Sequence, residues 1–173
     1  QLGVKAAAVV VEGLAVDKAA ARVKALAAKS GVPFIVMTKD AATMAAAVGA
    51  IADKRPLIYK AAAANAEAFI KIALEQKCPL AVGADTLEAL ADLAKAAKDK
   101  GVADLVLAFN GSPAARTIRD LTIVRRAALK KGFRALGYPS MVDVSLDEPC
   151  RETVLASTFA AKYAGIVIIN GLD

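Results

Sequence analysis

The sequence predicts an α/β fold, an incomplete (βα)8 TIM-barrel-like domain with about seven parallel strands and six helices. Three observations carry this. Seven short runs rich in Val, Ile, Leu and Phe lack alternating polar positions, the mark of strands covered on both faces. Successive runs are separated by about 22 to 31 residues, a regular period. Between them lie helical apolar patterns, bounded by capping residues in front and by cations, usually with Gly, behind.

The elements follow in order. Ala7 to Val11 is the first strand; Asp17 opens a helix whose Val23 and Leu26 share a face, and Lys29-Ser30-Gly31 closes it. Phe34 to Met37 is the second strand, followed by Asp40 as an N-cap. Leu57 to Tyr59 is the third, and the run Ala61 to Ala64 behind it favours helix on propensity. Leu80 to Val82 is the fourth; Asp85 with Glu88 starts a helix marked by Leu87, Leu90 and Leu93, which ends at Lys98-Asp99-Lys100-Gly101. Leu105 to Phe109 is the fifth. Ser112 before Pro113 begins a helix carrying Ile118 and Leu121, which ends at Lys130-Lys131-Gly132. Ala135 to Tyr138 is read as the sixth strand. Asp147 or Glu148 before Pro149 starts a helix with Leu155 and Phe159, and Gly165 to Ile169 is the seventh strand.

A doubly wound sheet would announce itself by a Gly-rich phosphate turn, and the order G-x-G-x-x-G never occurs. The chain has 173 residues, short of the roughly 200 to 250 of a full barrel. No linker or composition break divides it. It is therefore read as one domain over residues 1–173, a fragment of a longer chain.

Composition excludes much chemistry. With no histidine there is no Ser-His-Asp triad, no HExxH zinc site and no imidazole ligand to haem or zinc. Cys78 and Cys150 form no C-x-x-C pair and cannot alone hold a four-thiolate cluster; isolated thiols of this kind are commonly buried packing residues. The longest uncharged stretch, Ala41 to Ala52, falls far short of the ~20 residues of a membrane span, and no secretory signal pattern opens the sequence. The expectation is a soluble, cytoplasmic protein without a membrane partner. The net charge of +6 raises nucleic acid, but the lysines are spread rather than clustered with Phe or Tyr, so no nucleic-acid partner is expected.

Parallel βα folds place function at the C-terminal ends of their strands. Those positions are Glu12; Thr38, Lys39 and Asp40; Tyr59 and Lys60; Gly83 and Asp85; Asn110 and Ser112; Tyr138, Ser140 and Asp143; and Asn170. Lys60 either forms a Schiff base with a carbonyl substrate, which would make the chain an independent lyase, or is a solvated lysine at a loop start. Glu12, Asp40, Asp85 and Asp143 could serve acid–base work or hold Mg²⁺; capping explains Asp40 and Asp85, leaving Glu12 and Asp143 as the freer pair. No residue is assigned a catalytic or metal-binding role. Arg116, Arg119, Arg125, Arg126, Lys130, Lys131 and Arg134 form the densest basic stretch. They do not share one helix face, although Arg126 and Lys130 are i, i+4 neighbours; a solvated surface or an anion or acidic-partner site would each account for them.

Several stretches resemble a known family. They are RPLIY at Arg55–Tyr59, CPLAV at Cys78–Val82, IVRRAALKKGFR at Ile123–Arg134, LGYP at Leu136–Pro139 and AKYAGIVII at Ala161–Ile169. Their order and separation are similar to the central TIM-barrel region of the corrinoid iron–sulfur protein large subunit, also called the gamma subunit of the acetyl-CoA decarbonylase/synthase complex. The likeness runs from about Pro33 onward, and RRAALKK-x-FR followed by GYP is its most specific part.

The resemblance implies a methyl carrier of the reductive acetyl-CoA (Wood–Ljungdahl) pathway and of methanogenesis. In that family a cobamide (B12) accepts a methyl group from a methyltetrahydropterin through a methyltransferase and passes it to acetyl-CoA synthase. The family's large subunit adds an N-terminal [4Fe-4S] domain and a C-terminal cobamide-binding domain, and pairs with a small subunit. Neither cofactor's main ligands fall in these residues, so the segment is expected to be scaffold and partner surface. Asn110, Tyr138 and Asn170 are the candidate contacts near cobamide or a neighbouring domain.

Overall fold

The computed structural model describes residues 6–145 and 148–170. Seven strands alternate with six α-helices among them: β1 (Ala7–Val10), α1 (Val16–Lys29), β2 (Phe34–Met37), α2 (Ala41–Gly49), β3 (Leu57–Ala61), α3 (Ala66–Gln76), β4 (Leu80–Val82), α4 (Leu87–Asp99), β5 (Leu105–Asn110), α5 (Ala114–Lys130), β6 (Ser140–Asp143), α6 (Pro149–Ala161) and β7 (Ile166–Ile168). Short 3₁₀ turns cover Ala52–Lys54 and Arg134–Leu136. The chain divides into two compact units, one of residues 1–82 and 97–105 and one of residues 83–96 and 106–173.

In the first unit β1 to β4 pair in chain order, all parallel, with Ile35 against Leu57 and Ile58 against Leu80. Phe34 to Val36, Leu57 to Tyr59 and Leu80 to Val82 are buried without alternation, which accounts for their near-continuous apolar sequence. Helix α1 packs on α2 and α2 on α3. Ala19, Val23 and Ala27 of α1 recur every fourth residue on its buried face. Alanine in two of those three positions keeps the α1 surface low enough for close approach. Phe69, Ile70, Ile72 and Ala73 are the buried residues of α3.

The opposite strand ends of this unit are tied by Arg55. Its Nε donates to the Lys77 carbonyl at 3.1 Å and its guanidinium pairs with Asp104 at 2.8 Å. Both partners of the ion pair are more than half exposed, so it orders the turn while contributing at most ~1 kcal/mol.

In the second unit β5, β6 and β7 are parallel in that order, with Asn110 against Asp143 and Asp143 against Ile168. Its core gathers Leu121 of α5, Val142 of β6, Val144 just past that strand and Phe159 of α6, with Phe109, Ile118, Leu155 and Val167 packed around them.

Capping follows the sequence in part. Asp40 caps α2, its Oδ2 accepting the Thr43 N–H at 2.7 Å, and Pro149 begins α6. For α4 it is Thr86 rather than Asp85 whose hydroxyl accepts a first-turn N–H, that of Ala89, at 3.2 Å. Asp17 lies inside the first turn of α1 instead of in front of it, where its charge still complements the helix dipole. Glu148 stands at the N-cap of α6 without a side-chain bond; Asp147 lies outside the described residues. Gly101 and Gly132 take the positive φ expected behind α4 and α5. Behind α1 the chain turns extended at Ser30, and Gly31 is not left-handed.

Two expectations fail. Ala61 to Ala64 is not helical: Ala61 ends β3 and the next residues turn, because burial of Ala61 in the sheet outweighs helix propensity. The sixth strand is Ser140–Asp143, not Ala135–Tyr138. Arg134–Leu136 forms a 3₁₀ turn, and Pro139, which has no N–H, serves the sheet only through its carbonyl, accepting from Leu107 N–H at 2.8 Å.

Candidate functional site

The C-terminal strand ends of the first unit are cross-braced. Glu12, just past β1, reaches over β2 and accepts the Lys39 N–H on Oε2 at 2.7 Å. That bond first, and the Thr38 hydroxyl second, hold the Glu12 carboxyl below its ordinary range. The Thr38 hydroxyl accepts the Asp40 N–H at 3.2 Å, and the hydrogen bonds from Thr43 hold the Asp40 carboxyl low as well. Glu12, expected to be one of the freer carboxylates, is thus engaged in fixing the β2–α2 turn.

Lys60 is half-buried in β3, with its ammonium 5.5 Å from the centre of the Tyr59 ring. Beyond it Asn65 Oδ1 accepts the Ala62 N–H at 2.7 Å and Asn65 Nδ2 donates to the Lys60 carbonyl at 3.4 Å. This asparagine closes the β3–α3 turn and was not anticipated, though Asn immediately before a helix is itself a turn signal.

In the second unit the strand ends converge through backbone. The Asn110 carbonyl accepts the Thr117 hydroxyl at 2.6 Å, the Gly111 N–H donates to the Asp143 carbonyl at 2.7 Å, and the Val144 N–H donates to the Ile168 carbonyl at 2.9 Å. Asp143 Oδ1 accepts both the N–H and the hydroxyl of Ser145, at 3.1 and 2.7 Å. The Asn170 N–H donates to Oε1 of Glu152 at 2.5 Å. Glu152 is buried in α6, and only the fold reveals its reach to the β7 end. Arg116 donates to the Asp85 carbonyl and, with Arg119, faces the mostly buried Asp120 at 3.5 and 3.1 Å.

Asn110 and Asn170 therefore share the C-terminal end of the second unit's strands. Tyr138 does not join them: it lies two residues before β6, at the strand's N-terminal end. Ser140 likewise opens that strand and is buried.

Comparison with known proteins settles the kinship. The family model described as CO dehydrogenase/acetyl-CoA synthase delta subunit matches residues 1–173. The chain belongs to this family. It is 36% identical to the corrinoid/iron-sulfur protein large subunit of Moorella thermoacetica over 87% of this chain and 34% of that protein. It is 32% identical to the acetyl-CoA decarbonylase/synthase complex subunit gamma of Archaeoglobus fulgidus, over 84% of this chain and 34% of that one. The gamma subunit of Methanosarcina acetivorans is also 32% identical, over 90% of this chain and 36% of its own length. The family description names a delta subunit, whereas these relatives are large or gamma subunits. The chain spans about a third of the length of these relatives.

In structure the chain is similar to dihydropteroate synthase from Xanthomonas albilineans in complex with 7,8-dihydropteroate, with a TM-score of 0.64 at 16% identity over 96% of this chain and 73% of that one. That likeness confirms the TIM-barrel-like α/β class.

The name of the Moorella thermoacetica relative carries corrinoid and iron–sulfur groups, and the residues of this chain do not fit the four-thiolate ligation of an iron–sulfur cluster. The chain has two cysteines and no histidine; Cys78 is buried, its thiol pushed up by that burial, while Cys150 is exposed in α6. Among the described residues no three His, Cys, Asp or Glu side chains are grouped to hold a metal. Nor, among them, is any helix long and apolar enough to cross a membrane.

Proposed function

We propose that this chain is the barrel region of a longer corrinoid iron–sulfur protein, one that carries a methyl group on cobamide from a methyltetrahydropterin to acetyl-CoA synthase. Residues 1–173 form one such region, whose part is scaffold and partner surface. The observation that carries the reading is the family match along the whole chain, together with relatives of which it spans about a third. The chemistry agrees with it: methyl transfer of this kind belongs to the cofactor, and a protein region without imidazole contributes positioning and exclusion of water.

On this reading the small corrinoid subunit, the methyltetrahydropterin methyltransferase and acetyl-CoA synthase are the partners, in the cytoplasm. The C-terminal strand ends of the second unit, with Asn110 and Asn170, present contacts to the cobamide or its domain. Tyr138, at the other end of β6, serves a different neighbour. Lys60 takes no covalent part.

The test is the mass and metal content of the intact native protein. The expected result is a chain about three times this length that holds cobalt and iron in fixed proportion to protein. A native chain no longer than this region, free of both metals and competent in a reaction of its own, would overturn the reading.

A further inference from the structure

Within the second unit, cations and apolar side chains gather on one outer face. Between Asp120 and Asp143 the chain carries Arg125, Arg126, Lys130, Lys131 and Arg134 and no acidic residue. On α5, Arg125 and Leu129 are i, i+4 neighbours, as are Arg126 and Lys130. All four are exposed; Arg126, Leu129 and Lys130 lie on the side away from buried Leu121 and Val124, and Arg125 stands at its edge, one turn after Leu121.

The fold extends this face with a residue distant in sequence. Tyr163, in the turn between α6 and β7, has the Arg125 guanidinium and the Lys162 ammonium each 5.8 Å from its ring centre. Leu129 is 67% exposed and Tyr163 49%, in a unit that also exposes Val154 and Ile123. Apolar and aromatic centres rimmed by arginine are the composition of protein interfaces.

We propose that this face docks an acidic surface of a partner protein, with Leu129 and Tyr163 as the apolar centre and Arg125, Arg126, Lys130 and Lys162 as the charged rim. The charge selects an acidic partner. One protruding leucine is too little apolar area to anchor the face in a bilayer. The inference stands on this surface alone and does not require the methyl-carrier reading.

The test uses the native assembly that contains the full-length protein, treated with a carbodiimide that joins lysine amines to carboxylates in direct contact. The expected products join Lys130 or Lys162 to Asp or Glu of another polypeptide, and about 0.5 M salt suppresses them. Arg125→Glu with Arg126→Glu should then weaken binding of that polypeptide at least about tenfold. Leu129→Ser should weaken it about fivefold. Both should leave the melting temperature unchanged, since the side chains are exposed.

Cross-links confined to this polypeptide, or running to a second copy of it, would overturn the proposal. So would binding of a single-stranded oligonucleotide or of phosphatidylserine vesicles that the same double substitution abolishes. The metal analysis above succeeds or fails independently of every one of these outcomes.

Discussion

Gly111 and Asp143 meet backbone to backbone at the ends of β5 and β6: the glycine N–H donates to the aspartate carbonyl at 2.7 Å. A Cβ on Gly111 would lie 2.9 Å from that same oxygen and 3.1 Å from the Val144 Cα. The approach that makes the bond leaves no room for a side chain, so one strand end is positioned by the other.

Gly111→Ala is therefore expected to destabilise the protein by about 1 to 3 kcal/mol, because two of the three atoms crowded by the new carbon are backbone and cannot swing aside. Urea unfolding of the full-length protein checks this. Gly31→Ala, where nothing lies within 4 Å of the new carbon, is the control and should not lower the midpoint.

Glu152 should respond to substitution in steps. Its buried carboxylate accepts the Asn170 N–H, so Glu152→Ala leaves that N–H without its acceptor and is expected to cost about 1 to 3 kcal/mol. Glu152→Gln keeps an acceptor oxygen and should cost less. Amide hydrogen exchange at Asn170, faster in the alanine variant than in the glutamine variant, reads the local effect.

Acid should loosen the first unit at its β1–β2 end. Glu12 and Asp40 both have folded-state values below the ordinary carboxylate range. Their contribution to stability is thus fully present above that range and is lost as pH falls below it through the folded values. Glu12→Gln is expected to flatten the acid limb of the stability–pH curve; a curve that keeps its slope would remove Glu12 from the account.

The two kinds of apolar residue in the second unit should behave oppositely. Phe159 is fully buried in the core with Leu121 and Val142, and Phe159→Ala is expected to cost about 3 to 5 kcal/mol. Leu129→Ala, at an exposed position of α5, should stay within about 0.5 kcal/mol in thermal unfolding.

The sequence by itself determined the alternation of strands and helices, because a parallel strand covered on both faces must be apolar without a break, and Phe34–Met37 and Leu80–Val82 could be read in no other way. It determined the Asp40 cap and the left-handed Gly101 and Gly132, which are local consequences of side-chain and backbone chemistry. It also carried the kinship, in strings such as RRAALKKGFR, since family likeness is a property of residue order. Only the tertiary structure decided that β6 begins after Pro139, that Tyr138 stands at the strand end opposite to Asn110, that Glu152 holds the Asn170 backbone, and that Tyr163 lies against Arg125. Each of these depends on which backbone or side-chain groups find partners far along the chain. Local propensity and spacing carry no record of partners that only the packed sheet and its helices bring within reach.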